Sequence, residues 1–119
     1  MKNYNESLNH KKLENYCLVQ VKTHMSTPGL TIAFKELIDN LIQKDKCRKI
    51  LFDLTSVEFV DSSFIGAIVY AYKNLKQLNG KICVVIKSAA VYDRFILAQL
   101  DTLFKIYDNF NDAEKYILE

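Results

Sequence analysis

Glycine and proline are scarce in this chain of 119 residues, which holds 3 glycines and 1 proline. With so few turn and linker residues, no Pro/Gly-rich connector separates two folding units, and no repeat or low-complexity tract breaks the pattern. Gly29, Gly66 and Gly80 stand far apart, so no glycine loop of the kind that cradles a nucleotide phosphate is present. Cysteine is sparse too. Cys17, Cys47 and Cys83 show no CxxC spacing, and Cys17 and Cys83 fall in apolar strand-like runs, where cysteine serves as a small hydrophobe. That usage suits a reducing cytoplasm better than a disulfide framework. The 2 histidines, His10 and His24, lie near no cysteine pair, which argues against zinc. Neither is placed as a catalytic base, and no GxSxG elbow occurs. No catalytic residue, metal ligand or cofactor is therefore expected.

Long apolar runs are also missing. The longest, residues 64–72, stops at Lys73 and is far short of a membrane span. The N-terminal MKNYNESLNH is polar, without the apolar centre of a signal peptide. The 16 basic and 14 acidic residues leave a net charge of +2, too mild for the dense basic face of a nucleic-acid binder. The expectation is a cytoplasmic protein with no membrane span and no nucleic-acid partner.

What the chain does have is alternation. Residues 16–22 have strand composition, with Cys17, Val19 and Val21 pointing one way, and the segment before them offers a weak edge strand. Thr27-Pro28 reads as an N-cap followed by proline in the first turn. Behind it Leu30, Ala33, Phe34, Leu37, Ile38 and Leu41 recur on one helical face. Residues 49–54 form a short apolar run suited to a strand covered on both sides. A second helix follows from Ser62, with Ile65, Ile68, Val69, Tyr72 and Leu75 along its stripe and Asn79-Gly80 as its stop, the glycine taking the left-handed conformation. Residues 82–86 make the next strand. Ser88 caps a third helix, residues 103–107 form a last strand, and Asn111 caps a closing helix. Strand and helix thus alternate through one α/β domain spanning residues 1–119, with residues 1–12 weakly structured or forming the edge strand. Its sheet is mixed and mostly parallel, of four to five strands with about four helices.

The most overspecified stretch is Asp61-Ser62-Ser63-Phe64-Ile65-Gly66-Ala67. A single hydroxyl residue suffices to cap a helix, and Ser62 in that role adds about 1 kcal/mol over alanine. The motif also lies beyond the carboxyl end of a central strand, where α/β sheets place their functional sites. A helix start tolerates a phosphate, and the preceding Val57-Glu58-Phe59-Val60 mixes apolar and acidic groups as a partner-binding loop does. Cap and switch are both open on these grounds. Gly66 is read as a point of close helix–strand packing.

The run from Ile50-Leu51-Phe52-Asp53-Leu54 through Val60-Asp61-Ser62-Ser63-Phe64-Ile65-Gly66-Ala67 resembles the signature of STAS domains, in particular the bacterial anti-sigma factor antagonists. There an apolar strand ends in Asp-Leu, and Asp-Ser-Ser/Thr-Gly-x-Gly opens a helix. The likeness extends over roughly residues 13 to 118. It implies a non-enzymatic binding protein whose serine after the aspartate, Ser62 here with Ser63 as the neighbouring alternative, is phosphorylated by an anti-sigma factor that is also a serine kinase. The unmodified protein would hold that kinase, the modified one would release it, and a serine phosphatase of the metal-dependent class would reset it. Asp61, Ser62, Ser63, Phe64, Val60, Ile65, Glu58 and Thr27 are then the candidate partner-binding residues. Two positions depart from the pattern: Phe64 replaces the usual glycine, and Thr27 stands where the loop near residues 25–28 usually carries an aspartate. The family also implies an alternative, an interaction subunit of a lipid-transport ATPase or of a stress-signalling scaffold. Oligomeric state is not encoded in any of these features.

Overall fold

The computed structural model describes Tyr4 and residues 6–119; the N-terminal part of the expectation for residues 1–12 lies outside the described residues. Strands β1 (Leu8–Lys12), β2 (Cys17–Val21), β3 (Lys49–Asp53), β4 (Lys81–Val85) and β5 (Lys105–Tyr107) form one sheet in that spatial order. The β1–β2 pair is antiparallel and every later pair is parallel. Helices α1 (Pro28–Gln43), α2 (Ser62–Gln77) and α3 (Ala89–Leu97) make the crossovers, and α4 (Phe110–Leu118) closes the chain.

The period of two along a strand divides the core. Cys17, Val19, Val21, Ile50, Phe52, Ile82 and Val84 face α1, α2 and α3 in the larger apolar cluster. Tyr16, Leu18, Leu51, Cys83 and Val85 point the other way, onto Ala113 and Ile117 of α4. Both faces of the parallel strands are covered, which is why β3 and β4 read as unbroken apolar runs. Helix α1 buries Leu30, Phe34, Ile38 and Leu41 as its periodicity predicts, and Thr27 accepts a hydrogen bond from the Leu30 amide at 3.2 Å. On the α4 side, the Tyr16 hydroxyl donates to Glu114 at 2.6 Å, and burial together with that bond raises its pKa.

Four local expectations are corrected. The closing helix is capped by Asn109, which accepts from the Asp112 amide at 2.9 Å, and Asn111 lies inside the first turn. At the end of α2 it is Asn79, with φ 59°, that takes the left-handed conformation. Gly80 serves close approach: a Cβ there would meet the Arg48 carbonyl oxygen at 2.3 Å, where β4 begins against β3. Gly66 is not a packing glycine, for nothing lies within 4 Å of a Cβ built on it. Finally, Cys17 and Cys47 are joined in a disulfide, leaving Cys83 as the free, buried thiol. The parallel register explains the pairing: Cys17 opposes Ile50, so the connection entering β3 passes beside the start of β2.

Candidate functional site

The carboxyl ends of the parallel strands gather three loops, and backbone bonds stitch them together. In the loop after β3, the Glu58 and Phe59 amides both donate to the His24 carbonyl, at 2.6 and 3.0 Å, and Ser26 N donates back to the Phe59 carbonyl at 3.1 Å. Met25 and Phe59 form an isolated parallel bridge. On the other flank the Ser88 hydroxyl, cap of α3, donates to the Glu58 carbonyl at 3.2 Å. Asp53 turns the chain out of β3 by accepting from the Thr55 amide at 3.0 Å. The segment carrying residues 58–61 is therefore held from both sides before α2 starts.

Asp61, not Ser62, is the N-cap of α2. Its carboxylate accepts from the Phe64 amide at 2.9 Å and from the Ser63 hydroxyl at 2.9 Å, and its own amide donates to the Ser26 hydroxyl at 3.1 Å. These bonds, the Phe64 amide foremost and the Ser63 hydroxyl next, hold its pKa below the ordinary aspartate value. Each of the three motif residues thus has its own situation. Asp61 is fixed, and Ser63 is tied to it as a donor. Ser62, the first helical residue, is exposed, and its hydroxyl has no hydrogen-bond partner among the described residues. The capping role that sequence reading offered Ser62 is taken, and the hydroxyl is left free.

Phe64 does not belong to a docking surface. Its ring is fully buried and stacks on Phe34 of α1, centroids 4.9 Å apart, with Phe52 of β3 edge-on to Phe34 at 5.5 Å. Ile65 is nearly buried, though it reaches the floor of a groove beside Ser62. Val60 is half-buried against the core, Thr27 is engaged in capping α1, and Glu58 is exposed, 3.8 Å from His24. A contact this exposed contributes little to stability.

Sequence reading missed several neighbours. Ser26 carried no signal, since its part is to hold the Asp61 amide. Met25 is a large apolar residue left exposed on the stitched loops, like Phe59 of the loop that the sequence had already singled out, and Leu97 is 80 % exposed at the end of α3. Leu97 did have a signal: it falls off the stripe set by the buried Val91 and Phe95. Arg94, one turn before it, shares with Ser62, Ile65, Leu97 and Ala98 the lining of an open groove of about 340 Å³. Among the described residues no cluster of three or more acidic, histidine or cysteine side chains could hold a metal ion, and no helix is long and apolar enough to cross a membrane.

The family model of the STAS domain matches residues 19–113, the span from β2 into α4. The chain belongs to the STAS domain family. Among curated relatives of this STAS domain is an anti-sigma F factor antagonist of Paenibacillus polymyxa, 32% identical over 72 residues, which are 60% of this chain and 62% of that one. The alignment thus spans under two thirds of that relative. A crystal structure of an anti-sigma factor antagonist from Mycobacterium paratuberculosis superposes with a TM-score of 0.84 at 21% identity, covering 94% of this chain and 93% of the other. The Bacillus cell fate determinant SpoIIAA in its phosphorylated form gives 0.75 at 13% identity, covering 92% and 98%. At such identities the two structures speak for the fold alone.

The capping geometry makes a direct prediction. Asp61→Ala removes an N-cap and is expected to destabilise the domain by about 1 kcal/mol, lowering Tm by roughly 4 °C. Because the folded carboxyl titrates below its unfolded value, the unfolded chain takes up the proton first as pH falls. The contribution is therefore full above about pH 4 and fades below it. Thermal melts of both proteins from pH 7 to pH 3 check this: the gap in Tm narrows only at the acid end.

Proposed function

We propose that this STAS domain is an anti-sigma factor antagonist, a binding protein rather than an enzyme, switched by phosphorylation of Ser62. The observation that carries the reading is the division of labour in the motif. Asp61 caps α2 and engages Ser63, so Ser62 alone presents an exposed, unengaged hydroxyl on the rim of a rigid scaffold. The curated relative named as an anti-sigma F factor antagonist supports it. The partner is an anti-sigma factor with serine kinase activity, acting in the cytoplasm. It transfers the γ-phosphoryl group of ATP to Ser62 Oγ; the bond to the β-phosphate breaks, ADP leaves, and the serine proton passes to the kinase's base. A metal-dependent serine phosphatase reverses the step by hydrolysis.

The physical effect is local. The phosphate adds a charge of about −1.5 to −2 within a few residues of Asp61 and Glu58. In the free protein water and the start of α2 accommodate it. Against a docked partner it meets like charge and must shed its hydration, and a difference of ~3 kcal/mol lowers affinity about a hundredfold. The exposed Met25 and Phe59, on the loops that hold the motif, supply apolar area for the docked state.

The test is to incubate the chain and its Ser62→Ala variant with the anti-sigma kinase of the same organism and ATP, map the product by mass spectrometry, and measure kinase binding by calorimetry. One phosphate on Ser62, none on the variant, and a roughly hundredfold loss of affinity on modification are expected. A phosphate mapped to Ser63, or equal affinity in both states, refutes the reading.

A further inference from the structure

Ser62 and Arg94 come from different helices yet line the same open groove, with Ile65, Leu97 and Ala98 completing it. Arg94 is the charged member of that lining. It is exposed in the last turn of α3 and forms no ion pair among the described residues. We propose that Arg94 is the intramolecular partner of the phosphate on Ser62. On modification the guanidinium and the phosphate meet across the groove between α2 and α3. This rests on Ser62 being the modified residue, as proposed above.

Three observations lead to it. The start of α2 already carries a negative group, because the Asp61 carboxylate occupies the Phe64 amide. A second anion at the next residue therefore has part of the helix's favourable field taken and an acid beside it. A cation from outside the helix adds to what water and the helix start supply, and Arg94 is the one that shares the groove. The guanidinium also suits the task, since its planar fork binds phosphate oxygens two at a time. Before modification Arg94 is uncommitted and Leu97 is open to solvent, with the nearly buried Ile65 lining the groove beside it. Afterwards the ion pair bridges the groove over them. Modification then changes the shape of the surface as well as its charge.

The experiment needs no kinase. Phosphoserine is installed at position 62 by genetic code expansion, in the parent chain, in Arg94→Gln and in Arg94→Lys, and each phosphate is titrated by 31P NMR at low salt. Asp61 and Glu58, the acids near the phosphate, are common to all three and drop out of the comparison. An exposed phosphoserine titrates near pH 6; pairing with Arg94 lowers the midpoint, and Arg94→Gln raises it by about 0.5 pH units or more. Arg94→Lys, which keeps the charge, restores most of the lowering. Equal midpoints in the parent and Arg94→Gln, or a lysine variant that behaves like the glutamine one, overturn the proposal. Arg94 is exposed, so unmodified variants should melt with the parent. A kinase that ignores Ser62 would sink the functional reading and leave this titration intact, and equal midpoints would do the reverse.

Discussion

Phe64→Ala is expected to lower the unfolding free energy by about 4 kcal/mol, within the 3–5 range for truncating a buried phenylalanine. The ring is wholly inside, stacked face to face on Phe34, which in turn meets Phe52 of β3. Three elements, α1, α2 and β3, converge on that cluster, so the surroundings cannot collapse to fill the space without moving a helix. Against a total stability of 5–15 kcal/mol for a typical domain the loss is large, and Tm should fall by roughly 15 °C. Phe64→Leu keeps most of the apolar volume and should lose only about 1 kcal/mol. Urea denaturation of the three proteins, followed by circular dichroism, measures both effects. An alanine variant within about 1 kcal/mol of the parent would show that the stack carries no weight. Asp61 and Ser62 precede the ring on the exposed side of the helix start. Loss of Phe64 should therefore loosen the position of the motif, and Phe64→Leu should not.

That residue also marks where sequence reading reached its limit. The elements themselves were legible because two periods, 2 and 3.6, are kept with few interruptions and the turns carry standard signals: Thr27-Pro28, Ser88, and the Asn79-Gly80 pair. The parallel order followed from helices placed between strands. Phe64 was ambiguous because the first turn of α2 is where the surface motif and the buried stripe overlap. In one dimension an aromatic beside Ser62 fits either side. Only the arrival of Phe34 from α1 decides it. The same overlap hid the true cap: aspartate and serine are equally good at that place, and the geometry chose Asp61. Long-range partners had no sequence signature at all. Ser26 meets Asp61 across 35 positions and Ser88 meets Glu58 across 30, both through loops whose mutual position depends on the finished sheet. Gly66 misled for a related reason. A glycine inside a helix suggests crowding, but this one faces open space.

Reducing the Cys17–Cys47 disulfide should lower stability by about 3.5 kcal/mol, from the chain entropy released when a bridge of sequence separation 30 is opened. For a domain of this size that corresponds to a fall in Tm of roughly 14 °C. The Cys17→Ala/Cys47→Ala double variant should melt near the reduced protein and be indifferent to reductant. Both half-cystines are largely buried, so an alkylating agent should find one reactive thiol, Cys83, in the unfolded oxidised chain and two more, Cys17 and Cys47, once the unfolded chain is reduced. Cys83 is not expected to contribute in the folded state, since burial pushes its thiol up to about 12. The bridge also has a definite place relative to the site. It ties the start of β2 to the connection entering β3, at the amino ends of the parallel strands, whereas the Ser62 motif occupies their carboxyl ends. Stability and recognition should therefore separate. Below the melting range the reduced protein ought to bind its partner, and accept phosphate at Ser62, as the oxidised one does. A reductant that leaves Tm unchanged would mean that the two cysteines are not bridged. One that weakens binding at 25 °C would mean that the two ends of the sheet are coupled more tightly than its intervening strands suggest.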